Sequence, residues 1–125
     1  MIGYVTLGTN DLERAAKFYD ALLDVLSAKR MMEESNFIAW ATTQEAPSIA
    51  VTKPFDEQAA TVGNGVMVAL SADSPEQVNA IHAKAIELGA TDEGAPGPRG
   101  EGGFYAGYFR DLDGNKLNAF CMVQS

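Results

Sequence analysis

Tyr4-Val5-Thr6-Leu7 and Met67-Val68-Ala69-Leu70 stand 63 residues apart and carry the same apolar pattern. The same offset lays Asn10 on Asp73, Glu13 on Glu76, Phe18 on Ile81, Leu22 on Ala85 and Val25 on Leu88. Identities are few, but the pattern persists through an extended run, a turn and a helical stripe. Two such copies nearly fill the 125 residues. A repeat of this kind marks a fold built from similar modules. The chain therefore reads as one domain (1–125), with module one at about 1–60 and module two at about 64–125.

Each copy has the same internal order. Residues 2–8 are β-rich and end in Gly8-Thr9-Asn10-Asp11, which predicts a strand followed by a turn. Asn10 is the expected helix cap, with Glu13 three residues on. Leu12, Ala15, Phe18, Tyr19, Leu22, Leu23 and Leu26 then keep helical spacing. In the second copy the strand is expected at 66–70. Ser74-Pro75-Glu76-Gln77 combines a capping residue with Pro at the first helical position, Val78, Ile81, Ala85 and Leu88 form the apolar stripe, and Gly89 ends the helix. Strand-like runs follow at about 28–33, 37–42 and 48–53, and at about 103–110 and 115–122, with a weak one near 90–93. Asp113-Gly114 signals a hairpin turn between the last two. The class is α+β: two βαβββ modules, each a mixed sheet with one helix packed on it.

Nine Lys and Arg against seventeen Asp and Glu give a net charge of −8. So acidic a surface repels phosphate backbones and anionic lipid, so neither nucleic acid nor membrane is an expected partner. A cationic or neutral ligand is easier to accommodate. Cys121 is the single cysteine, which excludes an internal disulfide and suits a reducing cytoplasm. Met1-Ile2-Gly3-Tyr4-Val5 has no basic or long apolar region, so no secretory signal is expected.

Two stretches resemble motifs of the vicinal oxygen chelate superfamily, which includes glyoxalase I, bleomycin-resistance proteins, fosfomycin-resistance enzymes and extradiol dioxygenases. Thr9-Asn10-Asp11-Leu12-Glu13-Arg14-Ala15-Ala16-Lys17-Phe18-Tyr19 is similar to its first helix, and Asp111-Leu112-Asp113-Gly114-Asn115-Lys116-Leu117 to the hairpin before its last strand. Val62-Gly63-Asn64-Gly65 precedes the second module, as in many small members. The resemblance implies curved mixed sheets that wrap a cavity. In metal-using members it implies a His on the first strand of module one, a His or Gln on the first strand of module two, and a Glu on the last strand. Those positions fall on Tyr4, Met67 and Asn118, with Ala50 as the module-one counterpart of Asn118. Phenol, thioether, amide and methyl groups make a poor site for a hard divalent cation. No metal or other cofactor is expected.

The remaining chemistry is sparse. His82, the single histidine, is expected on the surface of the second helix, which leaves no triad to build. Asp111, Asp113 and Asn115 lack the Gly and Glu spacing of a calcium loop and read as a turn. Cys121 alternates with Leu117 and Ala119 on the helix-packed face, as a buried, inert thiol. The Gly/Pro-rich segment 94–103 reads as a long loop, either a plain connection or a flap carrying Arg99 or Glu101 to a ligand. Trp40, Tyr4, Phe104, Tyr105, Tyr108 and Phe120 fall on strands. Tyr108 and Phe120 share a face with Asn118, and Arg110 stands at its rim. Tyr4, Trp40, Met67, Arg99, Tyr108, Asn118 and Phe120 are thus the candidate ligand-binding residues, with no catalytic residue identified. Three functions fit: a metal-free, homodimeric binder of a small molecule in an aromatic cavity; a metal-dependent glyoxalase-type lyase or dioxygenase with ligands from other positions; and a non-catalytic dimerising module.

Overall fold

The computed structural model describes residues 1–124. The chain divides into two compact units between Val62 and Gly63. The first runs β1 (Tyr4–Gly8), α1 (Leu12–Asp24), β2 (Lys29–Glu33), β3 (Phe37–Ala41), β4 (Ser48–Thr52). The second runs β5 (Val68–Ser71), α2 (Pro75–Glu87), β6 (Thr91–Pro98), β7 (Phe104–Arg110), β8 (Lys116–Met122). Each is a βαβββ module with a four-stranded mixed sheet, ordered β1-β4-β3-β2 or β5-β8-β7-β6. In each, the first strand pairs in parallel with the last and the other pairs are antiparallel.

The helix of each unit packs on one face of its own sheet. In the first, Phe18, Tyr19, Leu22 and Leu23 of α1 are buried with Ile38, Trp40 and Val51. Trp40 is 1% exposed and its Nε1–H donates to Asp20 Oδ1 at 2.9 Å. Arg30 donates to the same carboxylate at 2.9 and 2.7 Å and lies over the indole. Arg30 first, and the indole N–H after it, hold the Asp20 carboxyl below the ordinary aspartate range. In the second unit Val78, Ile81 and Ala85 of α2 meet Phe109, Leu117 and Ala119, all fully buried.

Four local expectations need correction. The cap of α1 is Asp11, whose side chain accepts from Arg14 N at 3.0 Å. Asn10 is drawn elsewhere: its Oδ1 accepts from Ala60 N at 2.7 Å. The helix also stops at Asp24, short of Leu26, and Ser27 follows with a φ of 60°. His82 is buried, not on the helix surface. Its ring lies edge-on to Phe109, and Nε2–H donates to Asp92 Oδ1 at 3.1 Å. Gly107 makes the room, since a Cβ there would stand 3.1 Å from His82 Cδ2 and 3.0 Å from Pro96 Cγ.

The fourth correction concerns 94–103. The first half of that segment, 94–98, is strand, because β6 runs on to Pro98 and pairs with β7 through two register shifts, and 99–103 is the connection to β7. β6 is an edge strand, the place where Pro and bulge-forming Gly are tolerated. Gly103 closes the hairpin at φ 89°, and its carbonyl accepts from Val123 N at 2.7 Å.

Asp20→Ala leaves a buried indole N–H without an acceptor and should cost about 1–3 kcal/mol in urea unfolding. Asp20→Asn keeps an acceptor and should lose much less. A carboxylate held low contributes stability that is complete above its unfolded value and fades as pH falls through the folded one. Asp20→Asn should therefore flatten the acid limb of the stability profile. Gly107→Ala should destabilise by about 1–3 kcal/mol through overpacking against His82 and Pro96.

Candidate functional site

Strand alternation sends side chains to opposite faces, and the helices claim one face of each sheet. In the second unit, Leu117, Ala119 and Cys121 of β8 lie on the α2 side, as does Tyr105, whose hydroxyl donates to Asn79 Oδ1 at 2.7 Å. Asn118 and Phe120 lie on the other face. Their register partners continue it: Tyr108 and Ala69 beside Asn118, Ala106 and Ser71 beside Phe120.

This face holds most of the polar chemistry that no structural task explains. Asn118 is 1% exposed, yet its Oδ1 has no hydrogen-bond donor. Phe120 is half-buried and stacks on Phe104 with centroids 5.6 Å apart. Tyr108 carries two cations: Arg99 Cζ lies 5.4 Å and Lys116 Nζ 5.5 Å from its ring centroid. Arg99, just past the end of β6, folds back along that strand, donating to Gly97 O at 2.9 Å and Ala95 O at 2.7 Å. Arg110 is ion-paired with Glu93 and also donates to Gly114 O at 2.9 Å. Lys116 escapes notice in the sequence because it sits inside the turn motif. Its alternation with Asn118 was the available signal.

The other candidates are placed as follows. Met67 immediately precedes β5 and is 40% exposed. Tyr4 opens β1, 64% exposed, with Phe37 edge-on at 6.3 Å. It lines a hollow of about 330 Å³ in the first unit with Met31, Met32, Phe37, Ala39, Gln44 and Ser48. Trp40 stands apart from these residues. Its indole is fixed against α1 by Asp20 and Tyr19, so it belongs to the core of its unit. Arg99 is the first residue after β6, at the start of the connection to β7, where its backbone N–H donates to Phe104 O at 2.7 Å and its guanidinium reaches Tyr108.

The positions at which the superfamily places metal ligands can be tested unit by unit. In the first, Tyr4 and Ala50 share the face opposite α1, by the pairing of Tyr4 with Ser48 and Thr6 with Ala50. In the second, they are Met67 and Asn118. None of these groups is an imidazole or carboxylate, and no cluster of three or more His, Cys, Asp or Glu side chains occurs among the described residues. This donor set does not fit a hard divalent cation. The carboxylate of Asp111 is committed to its own turn, accepting from Asp113 N and Asn115 N at 2.9 Å each and from Asn115 Nδ2 at 3.0 Å. No described helix is long and apolar enough to cross a membrane.

Comparison with known proteins agrees with this architecture. A family model described as the Glyoxalase/Bleomycin resistance protein/Dioxygenase superfamily matches residues 1–119. A glyoxalase/bleomycin resistance protein from Albidiferax ferrireducens T118 is 39% identical, covering 98% of this chain and 99% of its own, with a TM-score of 0.89. A glyoxalase/bleomycin resistance protein/dioxygenase family enzyme from Burkholderia phytofirmans PsJN shares the fold at 18% identity, TM-score 0.77, over 97% and 98% of the two chains. The lactoylglutathione lyase of Agrobacterium tumefaciens does so at 20% identity, TM-score 0.71, over 97% and 92%. No curated protein matches. With the repeat, the sheet order and the matched family model in agreement, the chain belongs to the glyoxalase/bleomycin resistance protein/dioxygenase superfamily, the vicinal oxygen chelate group.

Proposed function

We propose that this protein binds a small molecule on the face of its second sheet opposite α2, without a divalent metal. The observation that carries the reading is Asn118. A buried amide oxygen without a donor costs about 1–3 kcal/mol, and such a group in the middle of a packed strand calls for a reason. A ligand that brings a donor, with the side-chain amide turning to meet it, recovers that cost. Phe120 and Tyr108 on either side offer flat apolar surface, and Met67 and Arg99 complete the proposed binding set. An apolar wall with a few placed polar groups is the usual makeup of a small-molecule site.

The lyase and dioxygenase reading has less support, because the positions that would hold its metal offer no anionic or imidazole donor. The same proposal places the protein in the cytoplasm, as a homodimer, in keeping with its single thiol and with the dimers common in the superfamily.

Asn118→Leu tests the assignment without knowledge of the ligand. Replacing an unpartnered polar group by an apolar one of similar size is neutral or stabilising. The variant should therefore match or exceed the wild type in urea unfolding. A loss of more than about 2 kcal/mol would mean that Asn118 is a structural residue with partners of its own. In a thermal-shift screen of small metabolites run in excess EDTA, wild-type hits should persist and Asn118→Leu should lose them.

A further inference from the structure

The small molecule of the preceding reading has a definable charge. Arg99 and Lys116 approach the same Tyr108 ring, at 5.4 and 5.5 Å from its centroid. At that spacing the two charges lie within roughly one Debye length of each other, about 10 Å at 0.1 M salt. Neither is in an ion pair among the described residues. The hydrogen bonds of the Arg99 guanidinium among the described residues go to backbone carbonyls, which hold it in place without neutralising it. Arg110, the next residue of β7 on this face, contrasts with them because Glu93 neutralises it. Attraction to the ring offsets part of the repulsion between them, and an anion bound between them would remove the rest.

We infer that the ligand is an organic anion, a carboxylate or phosphate ester. Its charged group is held by Lys116 and Arg99 at the edge of Tyr108, and a hydroxyl or amine on the same molecule donates to Asn118 Oδ1. Tyr108 and Asn118 are direct register partners on neighbouring strands, so charge and donor need to be only a few atoms apart in the ligand. This reverses the expectation drawn from a net charge of −8. The acidic residues that set that total are distributed over the whole chain, whereas the local charge on this face is positive. The inference rests on the small-molecule reading above and specifies which molecules it admits.

The test uses the full-length, isotope-labelled protein and titration followed by NMR. Mandelate and phenyl phosphate serve as anionic probes, mandelamide and benzyl alcohol as neutral counterparts, and benzylamine as a cation. The anions should shift the Asn118 side-chain amide and bind at least about tenfold more tightly than the neutral probes, as expected for one charge-assisted contact. Added salt should narrow that gap. Lys116→Gln should remove most of the preference, while Lys17→Gln, on the exposed face of α1, should leave it intact. Arg99 also ties down the end of β6, so the Lys116 variant carries the test. If neutral or cationic probes bind as tightly as the anions, the charge assignment fails and the small-molecule site stands. If no probe of any charge shifts Asn118 or Tyr108, both fail.

Discussion

Parallel pairing of Val68 with Leu117 and Ala69 with Asn118 commits every residue of β8 to one face or the other. A slip of one residue would exchange the faces, putting the Asn118 amide beneath α2 and Leu117 and Ala119 on the opposite side. The apolar stripe of α2 prevents that slip. Val78, Ile81 and Ala85 need Phe109, Leu117 and Ala119 beneath them, and all six are fully buried. What remains on the other face is what the core has no use for: an amide, two cations, a tyrosine and a stacked pair of phenylalanines. The candidate site is thus a consequence of the register, and the register is a consequence of the helix.

The first unit obeys the same rule with a different result. Thr6 pairs with Ala50 as Ala69 pairs with Asn118, and Trp40 is locked to α1 through Asp20. Its other face carries Tyr4, Phe37, Ala39, Ser48 and Ala50, with Lys29 at its edge beside Ala41. The duplication preserves the architecture while the chemistry has diverged, and the polar groups that most need explaining stand in the second copy.

Most of the fold was legible in the residues. A repeat of apolar spacing, two helix starts and a final hairpin were enough to predict two βαβββ modules, because these signals are local. Three departures have non-local causes. Asn10 is a good cap by type, but an amide fifty residues away claims it. The Gly94–Gly97 region reads as loop on composition, yet it pairs as an edge strand because bulges accommodate it. His82 sits beside the apolar stripe in sequence; only the missing side chain of Gly107 and the reach of Asp92 show that it is buried. Trp40 resembles the site aromatics in being an aromatic on a strand, but its alternation with Ile38 points it to α1. Lys116 is masked for the converse reason, as part of a turn motif whose shape explains itself.

On this superfamily scaffold the usual metal positions hold Tyr4, Ala50, Met67 and Asn118. Elemental mass spectrometry tests that most directly, on protein expressed with added nickel, cobalt, zinc, iron and manganese and purified without chelator. Less than about a tenth of an equivalent of any of them is predicted, as expected where the described residues hold no cluster of three or more His, Cys, Asp or Glu side chains. A content near one equivalent, lost together with ligand binding on chelation, would contradict it and return metal-dependent chemistry to this chain.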